Sequence, residues 1–394
     1  MYWTLNIQAN GPQRANHAAV AIGDNIYTLG GYCKGGNIYT FSGFCRGGKL
    51  AQLIDVFCFN TIVLKWYKIE YQKTSESPKA CYGHSVVAYN NLIYLWGGQN
   101  VNGACSPTLY CFNTKTLSWS NPVTSGHPPK PTDGHSGCVI GDYMYIFGGF
   151  EEESKSYSNK VFRISLITFK WESVVTSGFP PSKRDFHSVS VIGNCMYIFG
   201  GRGEDDTDND TYPSEIMYLD TNSMKWSTPF CDGHEPCGRR SHSAVVYKSE
   251  IYIIGGFDGV NIRHLNDVFK YNPVNSVWTE MKVRGEPPCP RRRHCSVVVK
   301  DSLYLFGGCC PETCYDADSS EDSSDEAPEM KGRSDLFVLE FFPTLTRLTI
   351  LKIIESQIDT TCLPTSLKEK IQWIQSQPMY TFNKYDYALH MKQN

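Results

Sequence analysis

Six histidines, at 17, 84, 135, 187, 242 and 294, each stand thirteen residues ahead of a glycine pair beginning at 30, 97, 148, 200, 255 and 307. An imidazole serves readily as base or metal ligand. One that recurs at the same place in every unit reads instead as a satisfied scaffold group. The charges around these histidines carry more information. Arg14, Arg184, Arg239 and Arg291 all lie three residues before a histidine, and that repetition also marks them as scaffold. The position two before the histidine varies: Ala15, Tyr82, Asp133, Asp185, Arg240 and Arg292. Arg293 sits one before its histidine, and Arg202 directly follows the fourth glycine pair. A guanidinium fork suits a carboxylate through charge-assisted, often bidentate hydrogen bonds, and a pair of aspartates suits a cation. A peptide end carrying both charges would fit such a dipolar pocket. The competing reading is that these charges satisfy one another and bind nothing. Cys231, His234 and Cys237, with Cys309, Cys310 and Cys314, match no zinc spacing, so neither metal nor cofactor is expected.

These residues need a frame. The chain has 394 residues, 41% of them hydrophobic, with 33 Gly and 21 Pro, which reads as globular and turn-rich. With 37 Lys+Arg against 40 Asp+Glu the net charge is -3, which argues against direct nucleic-acid binding. No run approaches the ~20 apolar residues of a membrane span, and no secretory signal stands at the start. The 16 cysteines are therefore expected in a reducing compartment, cytosol or nucleus, as small buried hydrophobes.

A tyrosine precedes each glycine pair by three residues, in segments such as MYIFGG and LYLFGG that read as strands ending in a turn. Trp66, Trp119, Trp171, Trp226 and Trp278 follow the first five pairs. Each unit of roughly 50 residues then holds about four strands, the period of a propeller blade. The sixth unit lacks its tryptophan, and Trp3 supplies it: Trp3 lies 14 residues before His17, close to the 16 that separate Trp119, Trp171, Trp226 and Trp278 from the next histidine. Residues before the histidine and after the glycines share one face in this arrangement. In the first unit NIYTLGGYCKGG at 25–36 is followed by NIYTFSGFCRGG at 37–48, a tandem duplication in which one copy is expected to form the strand and the other a loop. Two acidic tracts, 204–210 and 312–329, leave from the same face, and the second is expected to be a solvated loop.

The double glycine, tyrosine and spaced tryptophan resemble the kelch repeat. The implied fold is all-β: a six-bladed kelch β-propeller over 1–342, closed by the N-terminal strand, followed by a short C-terminal helical segment at 343–375 and a polar tail at 376–394. Within 344–357, Leu345, Leu348, Leu351 and Ile354 fall at helical spacing, and Leu367, Ile371 and Ile374 form a second stripe behind Pro364.

Thr344-Leu345, followed by Leu348, Thr349 and Ile353, looks like the elongin-binding box of ubiquitin-ligase receptors, with Thr349 where that box has cysteine. Leu363-Pro364-Thr365-Ser366-Leu367 looks like the cullin-2 box that follows it. The whole chain is similar to the kelch-domain-containing substrate receptors of cullin-2 ligases. The resemblance implies a non-catalytic receptor that binds elongin B/C and cullin-2 and takes up C-terminal peptides of other proteins, often ending in glycine. Arg202, Arg240, Ser241, Arg292 and Arg293 are the expected carboxylate-binding residues, and Asp133 and Asp185 the readers of a basic penultimate side chain. A diglycine-reading relative has an arginine matching Arg202 but a serine where this chain has Arg240, which implies a different specificity. The alternative is a kelch scaffold that binds a cytoskeletal or chromatin partner and recruits no ligase.

Overall fold

The computed structural model describes residues 1–7, 11–32, 53–100, 103–311 and 330–376. The duplicated copy at 37–48, the acidic tract 312–329 and the tail from 377 onward lie outside them.

The repeated apolar segments form antiparallel sheets because their β-branched and aromatic residues suit a pleated surface, and tight turns return the chain. The first hairpin of each unit closes on two residues, for example Lys248 and Ser249, both at positive φ. In the first sheet Ala18–Ile22, Asn25–Leu29, Val56–Asn60 and Lys65–Ile69 follow one another in sequence order. Four further sheets repeat this plan, opening on Ser85–Tyr89, Ser136–Ile140, Ser188–Ile192 and Ser243–Tyr247. The sixth opens on Arg292–Val299, continues through Ser302–Pro311 and Leu336–Glu340, and takes its outer strand from the N-terminus: Tyr2–Ile7 pairs antiparallel with Leu336–Glu340. Trp3 opposes Leu339 there and is buried, so the missing tryptophan stands where the spacing placed it.

The core lies between sheets. Leu29, Val56 and Phe59 face two different neighbours: one cluster joins the first sheet to Val86, Ile93 and Phe112, another joins it to Val299, Phe306 and Val338 of the sixth. The remaining neighbours share clusters in the same manner, including that of Trp3 with Tyr252 and Ile254. A mostly-β chain of kelch repeats with two short helices fits a β-propeller.

The histidines and glycine pairs are the joints of this packing. His135, His187, His242 and His294 bond through Nε2 to Ser85, Ser136, Ser188 and Ser243 of the preceding unit, at 2.8 to 3.0 Å. The first glycine of each pair lies against the histidine of the next unit. A Cβ on Gly97 would stand 2.5 Å from His135 Cε1, and one on Gly307 would stand 2.5 Å from His17 Cε1. A side chain at either place would separate adjacent sheets.

Helix α1 (Leu345–Glu355) is N-capped by Thr344, whose hydroxyl accepts from Arg347 N at 3.1 Å. Helix α2 (Thr365–Ser376) packs against it, with Ile350 and Ile371 buried among Ile353, Ile354, Leu363 and Leu367. Phe341 stacks on Tyr247 at 3.9 Å, and Arg347 pairs with Glu340, so the start of α1 is held to the last sheet. Among the described residues no helix is long and apolar enough to cross a membrane.

Candidate functional site

The site grows from a ring of backbone. The residues just before the six histidines are linked N–H to C=O in a closed cycle: Asn16 to Arg293, Arg293 to Ser241, Ser241 to Phe186, Phe186 to Gly134, Gly134 to Gly83, and Gly83 to Asn16, at 2.7 to 3.2 Å. All six have positive φ, between 50° and 67°. Two are glycine. Asn16, Phe186, Ser241 and Arg293 are held in the left-handed region at about 1 kcal/mol each, strain the six joints enforce. The ring surrounds a cavity of about 140 Å³ lined by these residues and the six histidines.

One residue further back, the chain pairs with the residue after each glycine pair: Ala15 with Tyr32, Tyr82 with Gln99, Asp133 with Phe150, Asp185 with Arg202, Arg240 with Phe257, and Arg292 with Cys309. Residues before the histidine and after the glycines therefore share one face, as strand order requires. Behind them the scaffold arginines are buried. Arg14, Arg184, Arg239 and Arg291 donate to the carbonyls of Gly30, Gly200, Gly255 and Gly307, at 2.6 to 3.1 Å, and also pair with Asp55, Glu215, Asp267 and Asp335 respectively.

The varied residues gather as a charged mouth with aromatic walls. Arg240 and Arg292 lie over the same Phe257 ring, 5.3 and 4.7 Å from its centroid, and Arg202 lies over Tyr157. Arg293 donates to the Tyr32 hydroxyl and stands 5.9 Å from the centroids of both Tyr32 and Phe186. Burial and the neighbouring charges of Arg202 and Arg292 pull the Arg240 guanidinium down to about 10. Burial pushes Asp133 up to about 7, helped by Asp185 and Glu152, and pushes Asp185 up to about 6 against the pull of Arg202.

Not every expected residue stands free. Arg202 Nη2 donates to Asp185 Oδ2 at 3.3 Å, so part of the dipole is compensated internally, as the competing reading held. Arg240 and Arg292 differ. Among the described residues no carboxylate lies within ion-pair distance of either. The Nε atoms of Arg202, Arg240, Arg292 and Arg293, Asp185 Oδ1 and Ser241 Oγ are all buried with no hydrogen-bond partner among the described residues. So many orphaned polar atoms in one mouth suit a polar ligand.

The aromatic walls, Tyr32, Phe186 and Phe257, were not singled out from the sequence. Tyr32 and Phe257 both directly follow a glycine pair, a column as regular as the one that revealed the arginines. At the other end, Leu345 is 80% exposed, Pro364 and Thr349 are exposed, and Leu348, Ile353, Leu363 and Leu367 are half-buried. The Thr349 hydroxyl donates to the Leu345 carbonyl at 2.9 Å and so finds its partner within the helix.

Joined sheets, histidine–serine links and a mouth of variable residues define a kelch-repeat β-propeller. The family described as the KLHDC2/KLHL20/DRC7 Kelch-repeats domain matches residues 83–308, and the chain belongs to the kelch-repeat proteins. It is 38% identical over 381 residues to Kelch domain-containing protein 3 of Homo sapiens, covering 93% of this chain and 94% of that protein. The Mus musculus protein of the same name is 39% identical over the same length. Host cell factor 2 of Homo sapiens is 30% identical over 277 residues, covering 66% of this chain and 34% of that protein. Kelch-repeat proteins are generally non-enzymatic scaffolds or adaptors.

Proposed function

We propose that this chain is the substrate-recognition subunit of a cullin-2 RING ubiquitin ligase, built as a six-bladed propeller closed by its N-terminal strand. Its mouth binds the C-terminal carboxylate of other proteins, and its two helices bind elongin B/C and cullin-2. The observation that carries the pocket is the placement of Arg240 and Arg292 over one ring, half-buried, each with a buried and unpartnered Nε, and without a carboxylate partner among the described residues. An incoming carboxylate satisfies their unpartnered Nε–H groups and offsets their mutual repulsion with its charge, and a neutral amide cannot supply that charge. Asp133, on the opposite rim, attracts a basic side chain just before the terminus. Glycine is favoured as the last residue because a side chain there obstructs the arginines' approach. The helical boxes, with Leu345 exposed, support the ligase part of the reading.

The test is peptide binding to the intact protein by fluorescence anisotropy. Removing one side of a buried charged contact costs ~2 to 5 kcal/mol, so Arg240→Ala lowers affinity at least ~30-fold. Amidating the peptide terminus does the same. An amide that binds as well as the acid refutes carboxylate capture.

A further inference from the structure

Ser182, Cys237 and Cys289 occupy one repeated position, two residues before a buried scaffold arginine. In each case the arginine Nε donates to that residue's backbone carbonyl, at 3.0 to 3.2 Å. Nη2 then reaches the side chain: Ser182 Oγ at 2.8 Å, Cys237 Sγ at 3.4 Å and Cys289 Sγ at 3.2 Å. Since a serine hydroxyl serves in the fourth unit, the scaffold asks only for a small acceptor here.

The sixth unit adds a second sulfur. Cys310, near the end of Ser302–Pro311, brings its Sγ to 3.5 Å from Cys289 Sγ. Arg333 reaches Cys310 Sγ through Nε at 3.0 Å and Nη2 at 2.7 Å. Two sulfurs in contact thus lie between two guanidiniums, a setting that stabilises one thiolate and leaves the other sulfur protonated beside it. The Cys310 hydrogen bond and the Arg291 and Arg333 charges bring the Cys289 thiol down despite burial, while Cys310 is pushed up. Cys237, under an equivalent arginine, has no sulfur partner among the described residues, which makes it an internal control.

We propose that Cys289 and Cys310 are a thiol modification site that closes to a reversible intramolecular disulfide, with a peroxide as oxidant. The Cys289 thiolate attacks one peroxide oxygen, the O–O bond breaks, and hydroxide leaves, giving a sulfenic acid. The Cys310 thiol then attacks that sulfur, losing its proton, and the sulfenic oxygen departs as water. Sulfur is oxidised and peroxide oxygen is reduced to the level of water. Cys289 is 8% and Cys310 0% exposed, so the oxidant must be small.

The experiment uses the full chain, treated with hydrogen peroxide, quenched, alkylated, and digested without reductant for mass spectrometry. A Cys289–Cys310 linked peptide should appear, vanish with dithiothreitol, and be absent from Cys289→Ser, a change that Ser182 shows the scaffold accepts. Cys237 should stay alkylatable. Recovery of Cys289 and Cys310 as free thiols at a peroxide dose that modifies exposed Cys362 overturns the proposal. So does oxidation of Cys237 at the same rate as Cys289.

Discussion

Acid should loosen the joints between the sheets. Burial holds the repeat imidazoles neutral: His84 is pushed down to about 4, His135, His242 and His294 to about 3, and His17 and His187 well below 6.5. In the unfolded chain each titrates near its ordinary value of about 6.5, so acidification protonates the unfolded state first. Stability from this source is complete above pH 6.5 and is lost as pH falls toward the folded values. Going from pH 7.5 to pH 5.5 costs between ~1 and 2 kcal/mol per histidine, roughly 8 kcal/mol for the set. Asp133 and Asp185 act in the opposite sense. Their folded values, raised to about 7 and about 6, let the folded state bind protons that the unfolded state does not. They return roughly 2 to 3 kcal/mol over the same interval, leaving a net loss of roughly 5 kcal/mol, comparable with the whole stability of many domains. Urea unfolding at constant ionic strength, followed by tryptophan fluorescence at the two pH values, measures this directly. Stabilities that agree within ~1 kcal/mol would refute the reasoning, because the rings would then be charged or wet in the folded state.

Other substitutions separate scaffold from mouth. Arg291→Ala leaves Asp335 buried without its guanidinium, whose contacts are 2.6 and 2.9 Å, and should destabilise by ~3 to 5 kcal/mol in thermal or chemical unfolding. Arg292→Ala, which breaks no ion pair among the described residues and relieves like charge, should leave the melting temperature unchanged or raised. Gly97→Ala places a Cβ 2.8 Å from the Thr132 carbonyl and 2.5 Å from His135 at φ +69° and should prevent soluble expression. Gly103→Ala, at φ +79° with open space around it, should cost only about 1 kcal/mol. Leu345→Asp, at an exposed position in the first turn of α1, should abolish capture of elongin B and C without changing the melting temperature, since an acid is favourable at a helix N-terminus.

The repeat was legible because each joint constrains residue type wherever it occurs. A histidine must reach the preceding unit, and the glycine it rests on has no room for a Cβ, so spacing survives as pattern. The same logic marked Arg14, Arg184, Arg239 and Arg291 as scaffold, and their buried bonds to glycine carbonyls give the reason. The helical stripes were also visible, although their periodicity left open whether they dock on the sheets; the structure buries Ile350 against Ile371, helix on helix. What the pattern could not supply was pairing among the irregular charges. Asp185 and Arg202 are seventeen residues apart, and only the register between them makes a salt bridge of two residues cast as separate readers. The adjacency of Cys289 and Cys310 was equally hidden, since no repeated spacing links the two and only the packing of the sixth unit brings their sulfurs together.

By itself, then, the order of residues marked the kelch repeats, the N-terminal strand that pairs with Leu336–Glu340, and which columns hold structure and which hold variety. Those follow from local backbone geometry and from contacts repeated identically around an axis. The tertiary structure alone decided which charges remain uncompensated, because that depends on distances between side chains brought together from different sheets. Arg240 and Arg292 both lie over the Phe257 ring without an acid among the described residues, whereas Arg202 has one.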